Sequence, residues 1–383
     1  MSITDQIILA VFAAATAVQL FFWLFFFSRL VFGKEASLNS KPSPPIVNRK
    51  SSIVNPPPPV SVIICARNEA HNLAAHLHRI LNQNYRSYEV LVVLHKSSDK
   101  SLDVLSPLQR QYEHLRVVEC GDPRTGKKHA LAKGIEQAKH QVLLLTDADC
   151  VPASHDWISG MVAGMDENTR IVLGVAPYFR APGPLNSFIR FEASYTAMQY
   201  LAFALAGFPY MGVGRNLAYR KELFERTGGF RKHEGLASGD DDLFINEAAH
   251  KGNVGIRLNP DTFAYSAPKE TWRDYYRQKT RHFSTGKYYK LHHKILLSTL
   301  AMSHGLHYLG AFILVVFKIS IIFALLGYTV RMCLVMAFSS VILKRLQQQN
   351  LRPWVPALDF ALVLFYSVFA PAILMNNDTQ QWN

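Results

Sequence analysis

Four long stretches of the chain consist almost entirely of apolar residues, one near its start and three near its end. Residues 7–28 and 295–317 contain no Asp, Glu, Lys or Arg. Residues 319–343 are interrupted only by Arg331, and residues 355–375 contain Asp359 and Pro371. Because a helix of about 20 apolar residues spans a bilayer, the pattern predicts four membrane helices around a long polar middle. For the last two stretches, a pair of interfacial or re-entrant helices is the alternative.

The first stretch is predicted to be a retained membrane anchor over residues 1–34. A secretory signal peptide would begin with basic residues, carry a shorter apolar run and end at small residues. Here the chain begins MSITDQ, which is acidic, and the apolar run is followed by Arg29 and Lys34. These flanking residues favour an anchor.

Basic residues beside the apolar stretches predict the orientation, because Lys and Arg are enriched on the cytoplasmic side of membrane proteins. They follow the first stretch and fill the connector between the last two: Arg29, Lys34, Lys41, Arg49, Lys50, Lys344, Arg345 and Arg352. The tail after residue 375 carries none. The polar middle is therefore expected in the cytoplasm, with both termini outside. We expect a bacterial plasma membrane, because no sorting motif is visible.

The polar middle begins with a Pro- and Ser-rich linker over residues 35–59, which is expected to be extended. From residue 60, apolar runs at 60–65, 89–94, 115–120 and 141–146 alternate with helical patterns at 69–81, 102–111 and 130–138. Buried strands that alternate with helices are typical of a parallel sheet covered on both faces. Ligands of such sheets bind at the carboxyl ends of the strands.

Polar residues follow three of these predicted strands. The segment 66–69 (ARNE) follows the first, the segment 95–99 (HKSSD) follows the second, and Asp147-Ala148-Asp149 follows the fourth. Two carboxylates at this spacing can hold Mg²⁺ together with substrate phosphates. The structural alternative is an Asx turn that ends the strand.

A second acidic cluster, Asp240-Asp241-Asp242, precedes a helical pattern at 243–249. Acids are favourable at a helix N-terminus on electrostatic grounds alone, which is the structural explanation. Acids this close also repel each other, and this raises the pKa of one towards the range of a general base. Two acidic clusters in one domain indicate metal-assisted group transfer.

Residues 272–294 are strongly basic and interleaved with aromatic side chains, and Asp274 is their only acid. This composition is typical of an amphipathic helix held at the membrane interface. Gln278 and Arg281 lie one turn apart on the same predicted face. Membrane binding alone does not explain that pair.

The composition excludes several classes of protein. Hydrophobic residues make up 49% of the 383 residues and charged residues 18%, which excludes a disordered chain and a disulfide-rich secreted scaffold. Lys plus Arg is 41 and Asp plus Glu is 28, so the net charge is +13. This charge suits nucleic acid, anionic lipid or a phosphorylated substrate. Because the charge concentrates near the apolar stretches and no nucleic-acid motif is present, no nucleic acid is expected as a partner. The four cysteines lack CxxC spacing and predict free thiols.

Taken together, these motifs resemble a membrane-bound glycosyltransferase of family 2 over roughly residues 60–290. The matching segments are the first strand with ARNE, GKK at 126–128, DAD at 147–149, GRN at 214–216, GDD at 239–241 and QKTRH at 278–282. The resemblance implies an α/β fold of the Rossmann-like GT-A type, the fold of nucleotide-diphospho-sugar transferases. It would occupy residues 60–270, followed by a basic interfacial helix at 271–294 and a membrane region at 295–383.

The resemblance also implies roles for particular residues and a Mg²⁺ or Mn²⁺ cofactor on Asp149. Asp241 would be the catalytic base, with Asp240 as the second choice. The acceptor-binding residues would be Arg215, Asn216 and His282. The donor-binding residues would be Ala66, Asn68, Glu69, Asp99, Lys127, Lys128, Asp147, Gln278 and Arg281.

Two departures from the family pattern bear on the reaction. Leu94 and His95 stand where the family usually has two acids after the second strand, which leaves only Asp99 in that loop. His282 replaces the tryptophan of the family's QxxRW motif, which in polysaccharide synthases stacks on the acceptor sugar. The replacement favours transfer to a lipid or a short acceptor over processive synthesis of a polymer.

The expected function is therefore inverting transfer of a hexose from a nucleotide sugar, in the first place a UDP-sugar, to a lipid-linked or saccharide acceptor at the cytoplasmic membrane face. Such a reaction would serve cell-envelope polysaccharide or glycolipid synthesis. A polyprenyl-phosphate sugar synthase and an inactive glycosyltransferase-like protein are the alternatives. A P-loop at 121–128 is disfavoured because Lys128 stands where a hydroxyl should hold Mg²⁺. A transporter would need more polar residues inside its spans.

Overall fold

The computed structural model of the chain describes residues 1–33, 57–121, 126–236 and 238–374. Most of the predicted linker, the centre of the P-loop-like segment and the end of the tail lie outside these ranges. The helices are α1 (Ile3–Phe32), α2 (Ala70–Leu81), α3 (Ser101–Gln111), α4 (Lys127–Gln137), α5 (Trp157–Val162), α6 (Pro184–Leu205), α7 (Lys221–Thr227), α8 (Asp242–Ala248), α9 (Trp272–Phe283), α10 (Leu291–Val316), α11 (Ile321–Arg345) and α12 (Val355–Leu374).

A seven-stranded sheet forms the centre of the middle domain. The strands of the chain are β1 (Val60–Ala66), β2 (Tyr88–His95), β3 (Leu115–Cys120), β4 (Val142–Asp147), β5 (Cys150–Pro152), β6 (Ile171–Leu173), β7 (Leu217–Arg220), β8 (Val254–Ile256) and β9 (Ala264–Ser266). The sheet order is β3-β2-β1-β4-β7-β6-β8, and β5 pairs separately with β9. The four predicted strands are confirmed to within one or two residues.

The first half of the sheet is parallel, as predicted. β1 pairs in parallel with both β2 and β4, and β2 pairs in parallel with β3. All seven residues of β1 are buried, because helices cover both faces of the sheet. The second half departs from the prediction, since β7 runs antiparallel to both β4 and β6. The sheet is therefore mixed.

The helices pack on the sheet through apolar stripes. In α2, Leu73 and Leu77 are buried one turn apart, which satisfies the helical period of the sequence. α4 lies very close to β1 and β2 at Gly134. A Cβ added there would lie 2.8 Å from a methyl of Ile63 and 2.9 Å from a methyl of Val93. Only glycine therefore allows the approach that brings the start of α4 to the end of the sheet.

Four helices are long and apolar enough to cross a membrane: α1, α10, α11 and the segment Gln349–Phe369, which contains most of α12. The four predicted membrane stretches thus have helical counterparts. α1 contains a π-helical turn at Phe22–Phe27 and packs there against α6. The rings of Phe26 and Phe203 lie 4.6 Å apart at this contact. The long buried helix α6 therefore joins the α/β domain to the apolar helices.

The two charges within the apolar stretches are partners. Arg331 of α11 donates to Asp359 of α12 with its Nη1 2.7 Å from Oδ2, and both side chains are almost fully buried. Gln19 of α1 accepts from Nη2 of Arg331 at 3.0 Å, and Tyr308 of α10 donates to Asp359 at 2.8 Å. All four apolar helices therefore meet in one polar network. This network accounts for charges that would otherwise be costly among apolar helices.

The predicted basic helix over 271–294 is not continuous. α9 ends at Phe283, a single 3₁₀ turn follows at Gly286–Tyr288, and α10 begins at Leu291. The composition of the segment contained no Pro, so the break was not expected. The break arises because Asp242 accepts hydrogen bonds from the hydroxyls of Thr285 and Tyr289, which tie the turn to α8.

Candidate functional site

A cavity of about 570 Å³ lies at the carboxyl ends of β1 and β4. This volume is within the range of small-molecule sites. The cavity collects most of the site residues predicted from the sequence: Glu69, Lys127, Asp147, Asp149, Arg215, Asp240, Asp241, Gln278, Arg281 and His282. It also extends along α10 past Leu297, Ala301 and His304. The site is therefore continuous from the acidic clusters to an apolar helix.

Lys127 links the two acidic clusters. It begins α4 beside Gly126, and its Nζ lies 2.7 Å from Oδ1 of Asp147 and 3.3 Å from Oδ2 of Asp240. Burial by itself would lower the pKa of Lys127, but Asp147 and Asp240 raise it well above the ordinary value. The lysine therefore stays charged and holds the end of β4 next to the start of α8.

Asp149 is the carboxylate in this cavity that best fits a metal ion. Its Oδ1 accepts only the weak thiol donor of Cys150, at 3.5 Å, and the ion pairs of the described residues do not include it. Burial and then the charge of Asp147 raise its pKa. A divalent cation would relieve both effects. Within the described residues, no group of three or more His, Cys, Asp or Glu side chains could hold a metal alone, so phosphates or water would complete the shell.

The three acids at the start of α8 have three different environments. Asp240 contacts Lys127, and this cation lowers its pKa although burial opposes the effect. Asp242 accepts from Tyr289 at 2.8 Å and faces the turn before α10. Asp241 accepts from the backbone N–H of Gly214 at 2.7 Å and from that of Asp242 at 2.8 Å. Burial, Asp240 and Asp242 raise the pKa of Asp241 to about 7. Burial also raises the pKa of Asp242, but Thr285 and Tyr289 occupy its carboxylate, so Asp241 is the acid available for proton transfer near neutral pH.

α9 covers the cavity with its polar face. It begins at the N-cap residue Thr271, whose hydroxyl accepts from the backbone N–H of Asp274 at 3.1 Å. The Oε1 atom of Gln278 is buried without a hydrogen bond to the described residues. Desolvation, followed by the charges of Lys279 and Arg281, holds the pKa of His282 well below its ordinary value, although the side chain is exposed where it lines the cavity. His282 is therefore a neutral imidazole at physiological pH.

Arg215 forms the wall of the cavity between β7 and β9. Its Nη1 donates to Oγ of Ser266 at 2.5 Å, and its guanidinium carbon lies 4.4 Å above the ring centroid of Tyr178. Burial would lower the pKa of Arg215, but Tyr178, Cys150 and Asp149 raise it. A fixed positive charge therefore lies opposite the Asp147-Ala148-Asp149 segment.

Comparison with known protein families identifies the domain that carries this cavity. The family described as "Glycosyl transferase family 2" matches residues 61–228, which include β1, β4 and the acids that end β4. This segment of the chain is a family 2 glycosyltransferase domain. The predicted family and the predicted enzyme class are both confirmed.

Curated relatives of this glycosyltransferase match over part of their length. The probable glycosyltransferase YdaM of Bacillus subtilis is 29% identical over 238 residues, which are 58% of this chain and 54% of that protein. The beta-monoglucosyldiacylglycerol synthase of Synechocystis is 26% identical over 240 residues, 57% of this chain and 46% of that protein. The chain thus spans about half the length of these relatives.

A solved structure confirms the GT-A fold of this glycosyltransferase. The mannosyltransferase PcManGT from Pyrobaculum calidifontis, solved in complex with GDP-Man and Mn²⁺, matches with a TM-score of 0.59. The match covers 94% of this chain and 99% of that chain, at 20% sequence identity. At this identity the likeness shows the fold alone. It includes the α/β domain and the apolar helices around it.

Several predicted site residues of the glycosyltransferase lie outside the cavity. Asn68 and Asp99 join the first two loops, because Oδ1 of Asn68 accepts from the backbone N–H of Ser98 at 2.8 Å and Asp99 accepts from that of Ala70 at 2.9 Å. Ala66 is the buried last residue of β1. These residues shape the loops at the cavity edge rather than lining the cavity.

Lys128 and Asn216 also point away from the cavity. Nζ of Lys128 donates to the carbonyl of His233 at 2.6 Å, and Lys128 lines a separate cavity beside α4. Asn216 is fully buried: it accepts from Trp157 Nε1 at 3.0 Å and donates to the carbonyls of Val175 and Thr262. Both side chains are engaged by the protein itself. Lys128 was predicted to bind the donor and Asn216 the acceptor. In the structure, both side chains instead hold loops of the protein together.

Two ionisable residues of α6 line the cavity and were missed by the sequence analysis. Glu192 accepts from Tyr275 at 3.0 Å and pairs with Lys279, whose Nζ lies 2.5 Å away. Arg190 is buried one half-turn earlier. The sequence signal that could have identified these two residues is the presence of an Arg and a Glu within an otherwise apolar helical pattern. Ionisable groups buried in this way usually have a functional or pairing role.

Proposed function

We propose that this glycosyltransferase moves a sugar from a nucleotide-diphosphate sugar to a hydroxyl group on a membrane-embedded acceptor. One observation carries the proposal: a single cavity joins both acidic clusters to α10, a helix long and apolar enough to cross a membrane. The donor would bind at the acidic end, and the acceptor would enter from the α10 end. A UDP-sugar carrying a hexose is the donor that the family resemblance favours.

The donor end of the cavity has the chemistry to bind a diphosphate. Asp149 is proposed to hold Mg²⁺ or Mn²⁺, with Asp147 beside it facing the nucleotide sugar. The bound cation would offset the charge that develops on the leaving diphosphate. Arg281, with Gln278 one turn before it, lines the same cavity. A guanidinium can pair with two phosphate oxygens at once, so Arg281 is proposed to hold the diphosphate.

Asp241 is proposed to act as the general base. Its two backbone hydrogen bonds hold the carboxylate in one orientation, and its pKa of about 7 suits a base that works near neutral pH. In the proposed step, the acceptor oxygen bonds to the anomeric carbon as the bond from that carbon to the diphosphate breaks. The electron pair leaves with the nucleoside diphosphate, and the acceptor proton moves to Asp241. A single displacement inverts the configuration of the sugar.

The far end of the cavity supports a lipid acceptor. Leu297, Ala301 and His304 of α10 form its wall, so an acceptor could reach the site by lateral diffusion in a bilayer. A relative named for a monoglucosyldiacylglycerol product is consistent with this class of acceptor. The positive flanks of the apolar helices support a cytoplasmic α/β domain. The product would then be a glycolipid or a lipid-linked precursor of cell-envelope polysaccharide.

The proposal is tested by metal-dependent release of nucleoside diphosphate. Purified protein in detergent is incubated with UDP-, GDP- and dTDP-sugars and a membrane lipid extract, with wild type compared with Asp149→Ala. Release from one donor, abolished by EDTA and in the variant, would support the proposal and name the donor. If no donor is turned over, a donor-binding measurement separates a missing acceptor from an inactive protein. Absence of binding for every donor would refute the proposal.

A further inference from the structure

Arg190 is a buried cation at the centre of the wall that α6 contributes to the cavity. Only 3% of its surface is exposed, and it lines the cavity. Its Nε donates to Oε1 of Gln348 at 2.7 Å, and its Nη2 donates to Oδ1 of Asn350 at 2.6 Å. Its third nitrogen, Nη1, makes no hydrogen bond to the described residues. The guanidinium is thus held rigidly by two amides and retains free donors.

No acid neutralises Arg190 among the described residues. Its neighbour on the same helix, Glu192, is occupied by Lys279 and Tyr275. Burial and then the nearby cation Arg180 lower the pKa of Arg190, Tyr265 opposes them, and no carboxylate contributes to the shift. A buried charge without a counter-ion is costly, and an anionic ligand would remove that cost. The guanidinium fork matches the geometry of phosphate oxygens.

The location of Arg190 indicates where such an anion would come from. Both of its amide partners lie between α11 and α12, in a connector that also carries the basic residues 344, 345 and 352. A basic connector between two apolar helices is typical of the cytoplasmic membrane surface, the depth at which lipid phosphates lie. The cavity then continues from Arg190 to the acids of α8 on one side and to α10 on the other.

We propose that the acceptor of this glycosyltransferase is a phospholipid-like amphiphile and that Arg190 binds its phosphate. In such a lipid, a phosphate ester lies between the membrane chains and the hydroxyl that receives the sugar. The proposal rests on the function proposed above and narrows its acceptor class. The chains would lie along α10, the phosphate would contact Arg190, and the hydroxyl would reach Asp241. Arg190 is therefore a specificity-determining residue and takes no part in proton transfer.

Two lipids that differ in this phosphate test the proposal. Phosphatidylglycerol and diacylglycerol with identical acyl chains both carry a free hydroxyl, and only the first carries a phosphate. Each is presented in phosphatidylcholine nanodiscs with the nucleotide sugar that the donor screen selects. Wild type is expected to prefer phosphatidylglycerol by about tenfold or more in kcat/KM, the size of one charge-assisted contact. Equal use of the two lipids would overturn the proposal.

Variants at Arg190, and at the exposed Arg180 as a control, assign the preference to Arg190. Arg190→Gln should raise the KM for phosphatidylglycerol about tenfold or more and leave the KM for the donor unchanged. Arg190→Lys, which keeps the charge, should retain most of the preference. Arg180→Gln removes a neighbouring exposed charge and should change neither constant. An unchanged acceptor KM in Arg190→Gln would overturn the proposal.

Lipid binding, measured separately from turnover, distinguishes failure of this proposal from failure of the proposed function. Phosphatidylglycerol should raise the Tm of wild type and of Arg190→Lys more than diacylglycerol does, and should lose that advantage in Arg190→Gln. This result together with absence of binding for every donor would refute the proposed function and keep the phosphate site. Inorganic phosphate is the control for a soluble ligand. If it raises the Tm through Arg190 and phosphatidylglycerol does not, the lipid assignment is wrong.

Phosphatidic acid, which has a phosphate but no alcohol hydroxyl, is the last lipid to be tested. The proposal expects it to bind competitively and to receive no sugar. Transfer to phosphatidic acid that survives Asp241→Asn would show that phosphate itself is the nucleophile. That outcome would overturn the proposed position of the phosphate and favour a lipid-phosphate sugar synthase.

Discussion

The carboxylate of Asp241 accepts a hydrogen bond from the backbone N–H of Gly214, with 2.7 Å between Oδ2 and N. The two residues are far apart in the chain, and the contact joins the start of α8 to the loop before β7. A backbone donor cannot rotate away as a side chain can. The hydrogen bond therefore fixes the direction in which this acid faces the cavity.

Replacement of Asp241 by Asn is expected to reduce kcat about 10²–10⁴-fold, because the amide cannot accept the acceptor proton. The donor Kd should stay within a factor of about two, since the amide preserves the shape of the side chain. Steady-state rates and donor titration measure the two quantities. Glu113→Gln, at an exposed position in the turn after α3, is the matched control and should behave as wild type. A fully active Asp241→Asn protein would exclude this residue as the base.

The pH dependence of the reaction should contain an acidic limb near pH 7. The pKa of Asp241 is raised from an ordinary carboxyl value to about 7, so the group is protonated and unable to accept a proton below that pH. Activity should fall as the pH drops through 7 and by about tenfold per unit below it. Asp240→Asn removes a neighbouring negative charge that raises this pKa, so the limb should move to lower pH. An unmoved limb would argue against Asp241 as its origin.

Gly214→Ala should impair catalysis without disturbing donor binding. A Cβ at this position would lie 3.3 Å from both Cβ and Oδ2 of Asp241, so the acid must shift by a few tenths of an ångström. We expect kcat to fall about tenfold, because small displacements of a catalytic group are costly. Gly235→Ala, where a Cβ would meet no neighbour within 4 Å, is the control. Equal rates for the two variants would show that the position of Asp241 tolerates movement.

Removal of divalent metal should abolish sugar transfer. EDTA is expected to lower nucleoside-diphosphate release by about a hundredfold or more, and Mn²⁺ or Mg²⁺ should restore it in wild type. Asp149→Asn should not be restored, because its amide is a weak metal ligand. Asp103→Asn, an exposed acid of α3, should respond to metal as wild type does. Undiminished release from wild type in EDTA would contradict the assignment of Asp149.

The buried pair Arg331–Asp359 should contribute strongly to the stability of the helical bundle. Arg331→Met leaves Asp359 buried with its main partner removed, and we expect a loss of about 3–5 kcal/mol in unfolding free energy. The double variant Arg331→Met/Asp359→Leu should recover much of this loss, since no uncompensated charge remains. Thermal unfolding in detergent compares wild type, Arg331→Met, Asp359→Leu and the double variant. A double variant as unstable as the sum of the single variants would show that the pair is not coupled.

The pattern of apolar residues predicted the elements of the fold because that pattern is local. β3 was predicted with its observed bounds, and β1, β2 and β4 were predicted to within one or two residues. Each is a short, largely apolar run between helical patterns, and β1, β2 and β4 are almost entirely buried. The antiparallel β7 was not predicted, because its four residues carry no comparable signal and its pairing depends on distant strands. The break after Phe283 was missed for the same reason, since Thr285 and Tyr289 are held by Asp242, which is remote in sequence.

By itself, the sequence determined the α/β domain between apolar helices, the family, and a group of acidic and basic residues at the strand ends. Strand ends meet wherever a parallel sheet forms, so their proximity follows from local pattern alone. Only the tertiary structure decided which of these residues share a cavity. It turned Asn216 and Lys128 away from the cavity, brought Lys127 between two acids, and placed Arg190 in the cavity wall next to the connector between two apolar helices. Those outcomes depend on packing between segments far apart in the chain, which no local pattern encodes.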